Sequence, residues 1–550
     1  MAKKKKTNKA VPKASNVATP VVSNPASAWL ADQRVAIGVL LLSALAYYVF
    51  SHMSTGFYQH DEVGHLNNMK SFWYDPNVIL GNWAKTGYKL IYAIPSLLGG
   101  HFVKIVNCFM AALAGYMSYK IAKELGSTMA VLAGIVVATQ PMFFELSFRN
   151  YSEISTAVVL AGAVWAHYSN RFHWSTFLLA YVCTIRQEML PLLAAYGVFL
   201  MLRKQWLSIA IGSIPILFVN IWGAINTGDP LYFISSLISK SASLGKEYPR
   251  QGFWHYFSTA EAIYGGIALV LLFAYFATRR WKKNIHWFLV VPILYFFGIH
   301  VLFNIQSLDL GPATGGNLRY MAVITPLVSA AGVLGLESLR RAESKKVPMI
   351  VIGLLLAATA IFFTYENNSI RLTETRNWTP LIVSALTAAA VLLPGKSIKD
   401  GLVAGMIVLI GMLNIGSSAT TFDLTPEEKA IAKAGKYYNQ QLKMKDGRAG
   451  KEISEDSHVY FDHIVFSYFT DKCRDAFPGP NLRPRKGNAE TAEVGSIFIW
   501  DTHYSYRPNS HKDLTPEEYF IQQPDRFKKL NEFISTDRRF KMVFYKKIKE

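Results

Sequence analysis

Apolar runs of near-spanning length recur along most of this chain, and no soluble core absorbs so many of them. Between residues 34 and 418 the sequence reads as about thirteen spanning or near-spanning helices, from 34–51 to 400–418, with a further apolar run at 379–394. The weakest, 88–99, is broken by Pro95 and suits a re-entrant or interfacial helix. Composition agrees. Of 550 residues, 51% are hydrophobic and 17% charged, and mean hydropathy is +0.19. Soluble proteins carry roughly 25% charged residues. A soluble enzyme, a secreted disulfide scaffold and a disordered chain are excluded. The expected fold is an α-helical polytopic membrane protein with a small C-terminal α/β domain.

The net charge of +20 points to topology, because Lys and Arg concentrate in short loops and at the termini. The basic start MAKKKKTNKAVPK, Lys120, Lys123, Arg171, Arg203, Lys204, the runs at 278–283 and 339–346, Lys396 and Lys399 all fall on one side. Placing that side in the cytoplasm puts the N-terminus inside. Residues 1–33 then form a basic disordered cytoplasmic tail and 34–418 the transmembrane domain, whose outer loops at 52–87, 146–152, 224–258 and 304–318 carry the candidate site. The cysteines Cys108, Cys183 and Cys473 are too scattered for a disulfide or zinc framework.

Residues 419–550 differ in kind and read as an extracytoplasmic α/β domain. The segment DLTPEEKAIAKAG starts a helix, with Asp423 or Thr425 as its cap and Pro and Glu in its first turn. Short strands are expected at 458–461, 496–500 and 541–545.

The first outer loop, FYQHDEVGHLNNMKSFWYDP, sets His60, Asp61, Glu62 and His65 directly after the first span. Adjacent acids suit a helix entrance, where Asp caps and Glu complements the dipole. Acids at head-group depth also mark function. In the next outer loop Arg149 and Glu153 are four apart, the spacing of a simple ion pair on one helix face. The functional reading has Glu153 meeting Asp61 across a shared cavity, with Arg149 neutralising them or holding an anionic head group. TIRQEML leaves Arg186 and Glu188 at the outer boundary, and GPATGGNLRY sets Arg319 and Tyr320 at the start of a span. A snorkelling Arg beside an interfacial Tyr is the ordinary reading of that last pair. Several arginines and acids at the outer ends of different helices point instead to a polar cavity open to the outer leaflet.

This layout resembles the GT-C superfamily of polytopic membrane glycosyltransferases, which includes protein O-mannosyltransferases and aminoarabinose transferases. The resemblance rests on the inside N-terminus, Asp61-Glu62 in the first outer loop, a second acid in the next, Arg186-x-Glu188 after a short helix, TGDPLYF at 227–233, Arg319-Tyr320 and the soluble C-terminal domain. It covers nearly the whole chain in layout, and the Asp-Glu pair is its specific motif. It implies a polyprenyl-phosphate or diphosphate sugar donor used on the non-cytoplasmic face. Such a transfer needs a base for the acceptor hydroxyl and cations for the departing phosphate, and one displacement inverts the anomeric carbon. By the resemblance Asp61 is the base, Glu62 supports it and Glu153 completes the acidic cluster. Arg186, Arg319, Tyr320 and Arg149 are the candidates for the donor phosphate.

Metal use is left open, since the superfamily includes members with and without a divalent ion. Asp61, Glu153, His60 and His65 are the available ligands. Trp500-Asp501 partly matches the Trp-Trp-Asp-Tyr-Gly signature of oligosaccharyltransferases, and loss of the rest argues against sequon glycosylation. Asp501 and His503 read as ordinary loop residues, the alternative being a lining for the acceptor's path. The rival functions are a transporter or flippase and a ligase for lipid-linked saccharides. The first would place ionisable groups near the midplane. The expected partners are a polyprenyl-phosphate-linked sugar, an acceptor glycan, lipid or protein, and membrane lipids, with no nucleic acid. The expected setting is a bacterial inner membrane, with the site facing the periplasm or exterior. Sequons at Asn150, Asn367 and Asn377 would suit an endoplasmic reticulum, but a glycan at Asn150 would crowd the site.

Overall fold

The computed structural model describes residues 25–57, 60–80, 85–244, 250–278, 285–308, 316–365, 379–393, 398–418, 423–470, 483–505 and 515–550. The sequons Asn367 and Asn377, together with Cys473, lie outside them. A 3-10 helix, Pro25–Ala31, falls within the stretch read as tail and buries Leu30. The chain then forms α1 (Gln33–Met53), α2 (Asp61–Ser71), α3 (Thr86–Leu97), α4 (Gly100–Glu124), α5 (Val131–Ala138) and α6 (Pro141–Leu146). Next come α7 (Ser152–Tyr168), α8 (Phe172–Ile185), α9 (Leu190–Leu202), α10 (Trp206–Thr227), α11 (Tyr232–Leu244) and α12 (His255–Ser258). The helical part ends with α13 (Ala260–Thr278), α14 (Trp287–Phe303), α15 (Thr325–Arg341), α16 (Lys346–Tyr365), α17 (Thr379–Leu392) and α18 (Asp400–Ser418).

Among the described residues, five helices are long and apolar enough to cross a membrane: α1, α4, α10, α13 and the continuous segment Leu318–Arg341 that includes α15. Shorter apolar helices pack around them. On α1, Leu41, Leu42 and Leu45 face outward, as do Leu217, Ile221 and Ile225 on α10. Such faces are at home only in lipid, so this is a multi-pass membrane protein. The apolar window of α1 is 22% buried, that of α10 28%, and that of Leu318–Arg341 94%. The first two are outer wall and the last is the axis of the bundle. Gly335 brings α15 against the backbone of α13, where a Cβ would stand 2.3 Å from the Tyr275 nitrogen.

The stretch 128–145, one of the near-spanning apolar runs, is two helices. Thr139 and Gln140 interrupt it and Pro141 opens α6, because proline has no N–H to continue the helical ladder. The 88–99 segment forms α3 straight through Pro95, too short to span, and rests on α2, α4 and α8.

The C-terminal domain begins with α19 (Pro426–Lys443), capped by Thr425 in a reciprocal capping box with Glu428. It continues through β1 (Val459–Phe461), α20 (Ile464–Thr470), α21 (Lys486–Thr491), β2 (Ile497–Asp501), α22 (Glu518–Ile521), β3 (Phe527–Ile534) and β4 (Lys541–Lys547). The sheet order is β1-β2-β4-β3, with β1 parallel to β2 and the other pairs antiparallel. Central β2 is buried on both faces: Ile497 and Ile499 meet α19 and α20, while Phe498 and Trp500 meet Phe520 and Phe527. Strand β3 was not expected. Its sequence, FKKLNEFI, carries charge on an edge and lacks the apolar alternation of its neighbours. Val63 of α2 belongs to the same core as Ile431, Tyr438 and Phe466. Asn67 of α2 also donates to Ser467 Oγ at 2.5 Å. The domain is therefore docked on the helix that opens with Asp61.

Candidate functional site

Asp61 is the first residue of α2 and Glu153 lies in the first turn of α7, where helix N-termini favour carboxylates. Arg186 ends α8, and Arg319 stands in the 3-10 turn Leu318–Ile324 that leads into α15. These positions, spread over 258 residues, converge on one chain of ion pairs. Arg319 Nη2 donates to Asp61 Oδ2 at 2.9 Å, and its Nε lies 3.3 Å from Glu153 Oε1. Arg186 Nη2 donates to the same oxygen at 2.6 Å, and its Nη1 reaches Glu188 Oε1 at 3.1 Å. Tyr320 lies under both guanidiniums, 4.6 Å from that of Arg186 and 5.6 Å from that of Arg319, while Tyr151 backs Arg319 at 4.4 Å. The Glu153 side chain is fully buried, whereas that of Asp61 is 40% exposed. One end of the network is saturated and the other is open.

Glu62 turns away from this chain. Its Oε2 lies 3.6 Å from Arg149 Nη1, and its Oε1 accepts the Asn150 N–H at 3.3 Å. Arg149 precedes α7, so it shares no helix face with Glu153, and the expected pairing is replaced by one with Glu62. Arg149 also donates to the Gly56 carbonyl at 3.0 Å and to Ser54 Oγ at 2.8 Å. A cavity of about 350 Å³ opens here, lined by Lys104, Arg149, His52 and His101, with Glu62 the one acid among the described residues that line it. The Asn150 side chain is engaged with Tyr88 and the Glu62 carbonyl inside the site.

Lys85 was missed in the sequence. Its Nζ donates to Ser152 Oγ at 2.8 Å, and Ser152 Oγ donates to Glu153 Oε2 at 3.2 Å. Its backbone is left-handed at φ 53°, an unfavourable conformation for lysine that the surrounding fold imposes. A cation in a segment read as an outer loop, against the positive-inside tendency, was the available signal. Gly316, from the glycine-rich loop, presents its backbone to His255, whose Nε2 is 2.6 Å from the Gly316 carbonyl. Most of that loop, 309–315, lies outside the described residues.

The four metal candidates do not gather. Arg319 occupies the space between Asp61 and Glu153, so that pair does not fit a divalent ion. His65 is buried with Nδ1 2.6 Å from Lys89 Nζ; burial and then that ammonium hold its imidazole well below the usual range. His60 joins residues of the C-terminal domain. Its Nδ1 shares a 3.0 Å hydrogen bond with the Tyr504 hydroxyl, and its ring lies beside those of His463 and His503. Both of those histidines contact Glu427 Oε1, at 2.8 and 2.6 Å. Burial alone would raise the Glu427 carboxyl, but the two histidine hydrogen bonds outweigh it and hold the group well below the ordinary carboxylate range. Asp501 accepts the N–H groups of His503 and Tyr504 at 2.9 and 2.6 Å, fixing the turn after β2. Asp501 is thus structural, while His503 belongs to a cluster.

No family pattern and no curated protein matches the sequence. Structures of ArnT are among the solved structures that match the fold. ArnT from Cupriavidus metallidurans bound to undecaprenyl phosphate aligns with a TM-score of 0.58 at 10% identity, over 93% of this chain and 98% of ArnT. The same protein in the apo state aligns at 0.57 and 11%, over 95% and 98%. Bundle and C-terminal domain are both within the match, and the chain shares the fold of ArnT.

Proposed function

We propose that this protein transfers a sugar from a polyprenyl-phosphate donor to an acceptor hydroxyl on the non-cytoplasmic face, with inversion at the anomeric carbon. The observation that carries the reading is the chain Asp61–Arg319–Glu153–Arg186: two guanidiniums locked by a buried carboxylate, with one exposed carboxylate at the end. Asp61 takes the acceptor proton. Glu153 holds the two guanidiniums so that their remaining N–H donors and the Tyr320 hydroxyl meet the leaving phosphate. When the donor arrives, its phosphate competes with Asp61 for Arg319 and frees carboxylate lone pairs for the acceptor hydroxyl. Glu62 supports this arrangement by fixing Arg149 and hence the approach to α2. The likeness to an ArnT bound to undecaprenyl phosphate supports a lipid phosphate as the donor's carrier. Thirteen spans with the N-terminus inside, in a bacterial inner membrane, complete the reading.

The test incubates purified protein with a panel of polyprenyl-phosphate sugars and a cell-envelope extract, and measures released polyprenyl phosphate by mass spectrometry. Release that needs both the extract and Asp61 is the expected result and identifies the donor. No release with any donor, from folded protein, rejects the reading in favour of a transporter.

A further inference from the structure

Four segments far apart in sequence meet at the seam between α2 and the C-terminal domain. His60 is the residue before α2, Glu427 lies in the first turn of α19, His463 separates β1 from α20, and His503 stands in the turn after β2. Each offers one donor atom, and these atoms all lie within 4.8 Å of one another. His463 is fully buried, and the side chains of His60, Glu427 and His503 are 19%, 26% and 34% exposed. We propose that His60, Glu427, His463 and His503 form a tetrahedral zinc site that clamps the C-terminal domain to the helix carrying Asp61.

The donor set selects the ion. Three imidazoles and one carboxylate suit a borderline cation such as Zn²⁺, whereas Mg²⁺ and Ca²⁺ require oxygen ligands. The surroundings orient the rings as a metal site requires. Tyr504 holds His60 Nδ1 and stacks on His503 with centroids 4.2 Å apart, while His60 Nε2 lies 3.6 Å from Glu428 Oε1, a long contact that an ion at Nε2 replaces. Asp501 fixes the turn that presents His503. Glu427 Oε1 now receives both His463 and His503, at 2.8 and 2.6 Å. Zinc takes the place of the two bridging protons, each of which passes by way of solvent to the other nitrogen of its own ring so that the ligating imidazoles stay neutral, and the ligand atoms spread to the roughly 3.3 Å spacing set by metal–ligand bonds of about 2.0–2.1 Å. His463 Nδ1 faces the Val465 N–H at 3.3 Å, a long contact that a small ring rotation releases when Nε2 turns to the metal. Because His60 directly precedes Asp61, it sets where that carboxylate begins.

The test uses full-length, tag-free protein in detergent and needs no knowledge of its substrate. Native protein is expected to hold about one zinc per chain by elemental analysis, and cobalt in its place to give the intense visible bands of a tetrahedral site. Chelation lowers the melting temperature and zinc restores it. His60→Ala and the half-exposed His503→Ala abolish zinc retention and the cobalt bands, while Asp61→Asn keeps both. Absence of zinc and cobalt binding in folded native protein overturns the proposal, and so does zinc retained in His60→Ala and His503→Ala or lost in Asp61→Asn. A failed glycosyltransferase assay leaves these readouts untouched.

Discussion

Asp61 and Glu62 are neighbours in sequence, yet the two sides of the first turn of α2 are built differently. On the Asp61 side the ion pairs run from side chain to side chain: Arg319 to Asp61 and Glu153, Arg186 to Glu153 and Glu188. On the Glu62 side Arg149 is tied to the main chain through the Gly56 carbonyl, with the Ser54 hydroxyl as a second neutral partner. Gly56 in turn presses on Asp423, where a Cβ would lie 2.4 Å from the carbonyl oxygen, so this arginine joins α1 to the start of the C-terminal domain. A cation held by exchangeable carboxylates can change partners when an anionic ligand arrives. A cation held by backbone cannot do so without moving the loop. The first side is suited to chemistry and the second to bracing.

The largest expected effect is that of Asp61→Asn. Loss of a positioned base costs about 10²–10⁴-fold in turnover. Melting temperature and donor binding should stay near native values, because Arg319 keeps Glu153. Retained turnover in the release assay would remove Asp61 as the base. Next comes the pair that decides the comparison. Arg319→Ala should weaken donor binding by about 10–100-fold, the range of one or two charge-assisted hydrogen bonds, with a smaller effect on the rate of bound donor. Arg149→Ala should leave donor affinity nearly unchanged and cost about 1–3 kcal/mol of stability. Titration of both variants with donor in detergent tests this, and the opposite ranking would move the phosphate to the cavity lined by Lys104 and Arg149. Glu62→Gln should be milder. Arg149 keeps Gly56 and Ser54, so a stability loss of about 1–2 kcal/mol with turnover within a few-fold of native is expected from thermal melts and release rates.

Legibility in the sequence follows from what is local. Spans announce themselves by continuous apolar length, and α1, α4, α10 and α18 stand where the runs are. The capping box at Thr425 is written in four adjacent residues. Asp61, Glu153, Arg186 and Arg319 stood out as candidates because charge at the end of a span is conspicuous wherever it occurs. Which of them meet was not identifiable. The pairing of Arg319 with Asp61 and Glu153, and of Arg149 with Glu62, is set by how α2, α7 and α15 pack. The histidine cluster was hidden for the same reason, since no two of its members share a segment. Charged β3 was missed because an edge strand in water carries little of the alternation that marks a buried one.

The smallest effect tests whether the C-terminal domain matters to the site at all. Val63 follows Asp61 by two residues and is 1% exposed, packed into the core that holds Ile431, Tyr438 and Phe466. Val63→Ala removes two methyl groups from that core and should cost about 1–2 kcal/mol, read as a lower melting temperature. The cavity lies on the domain side of α2, and every ion pair of Asp61 and Glu153 remains. Donor affinity should therefore be native, because Arg319 and Arg186 are untouched. If the domain positions the helix, kcat falls a few-fold as the Asp61 carboxylate loses its fixed starting point. If the domain only covers α2, kcat is unchanged while stability drops. The two outcomes separate a brace that serves catalysis from one that serves the fold, and the Asp61 side of the turn is the reporter in both.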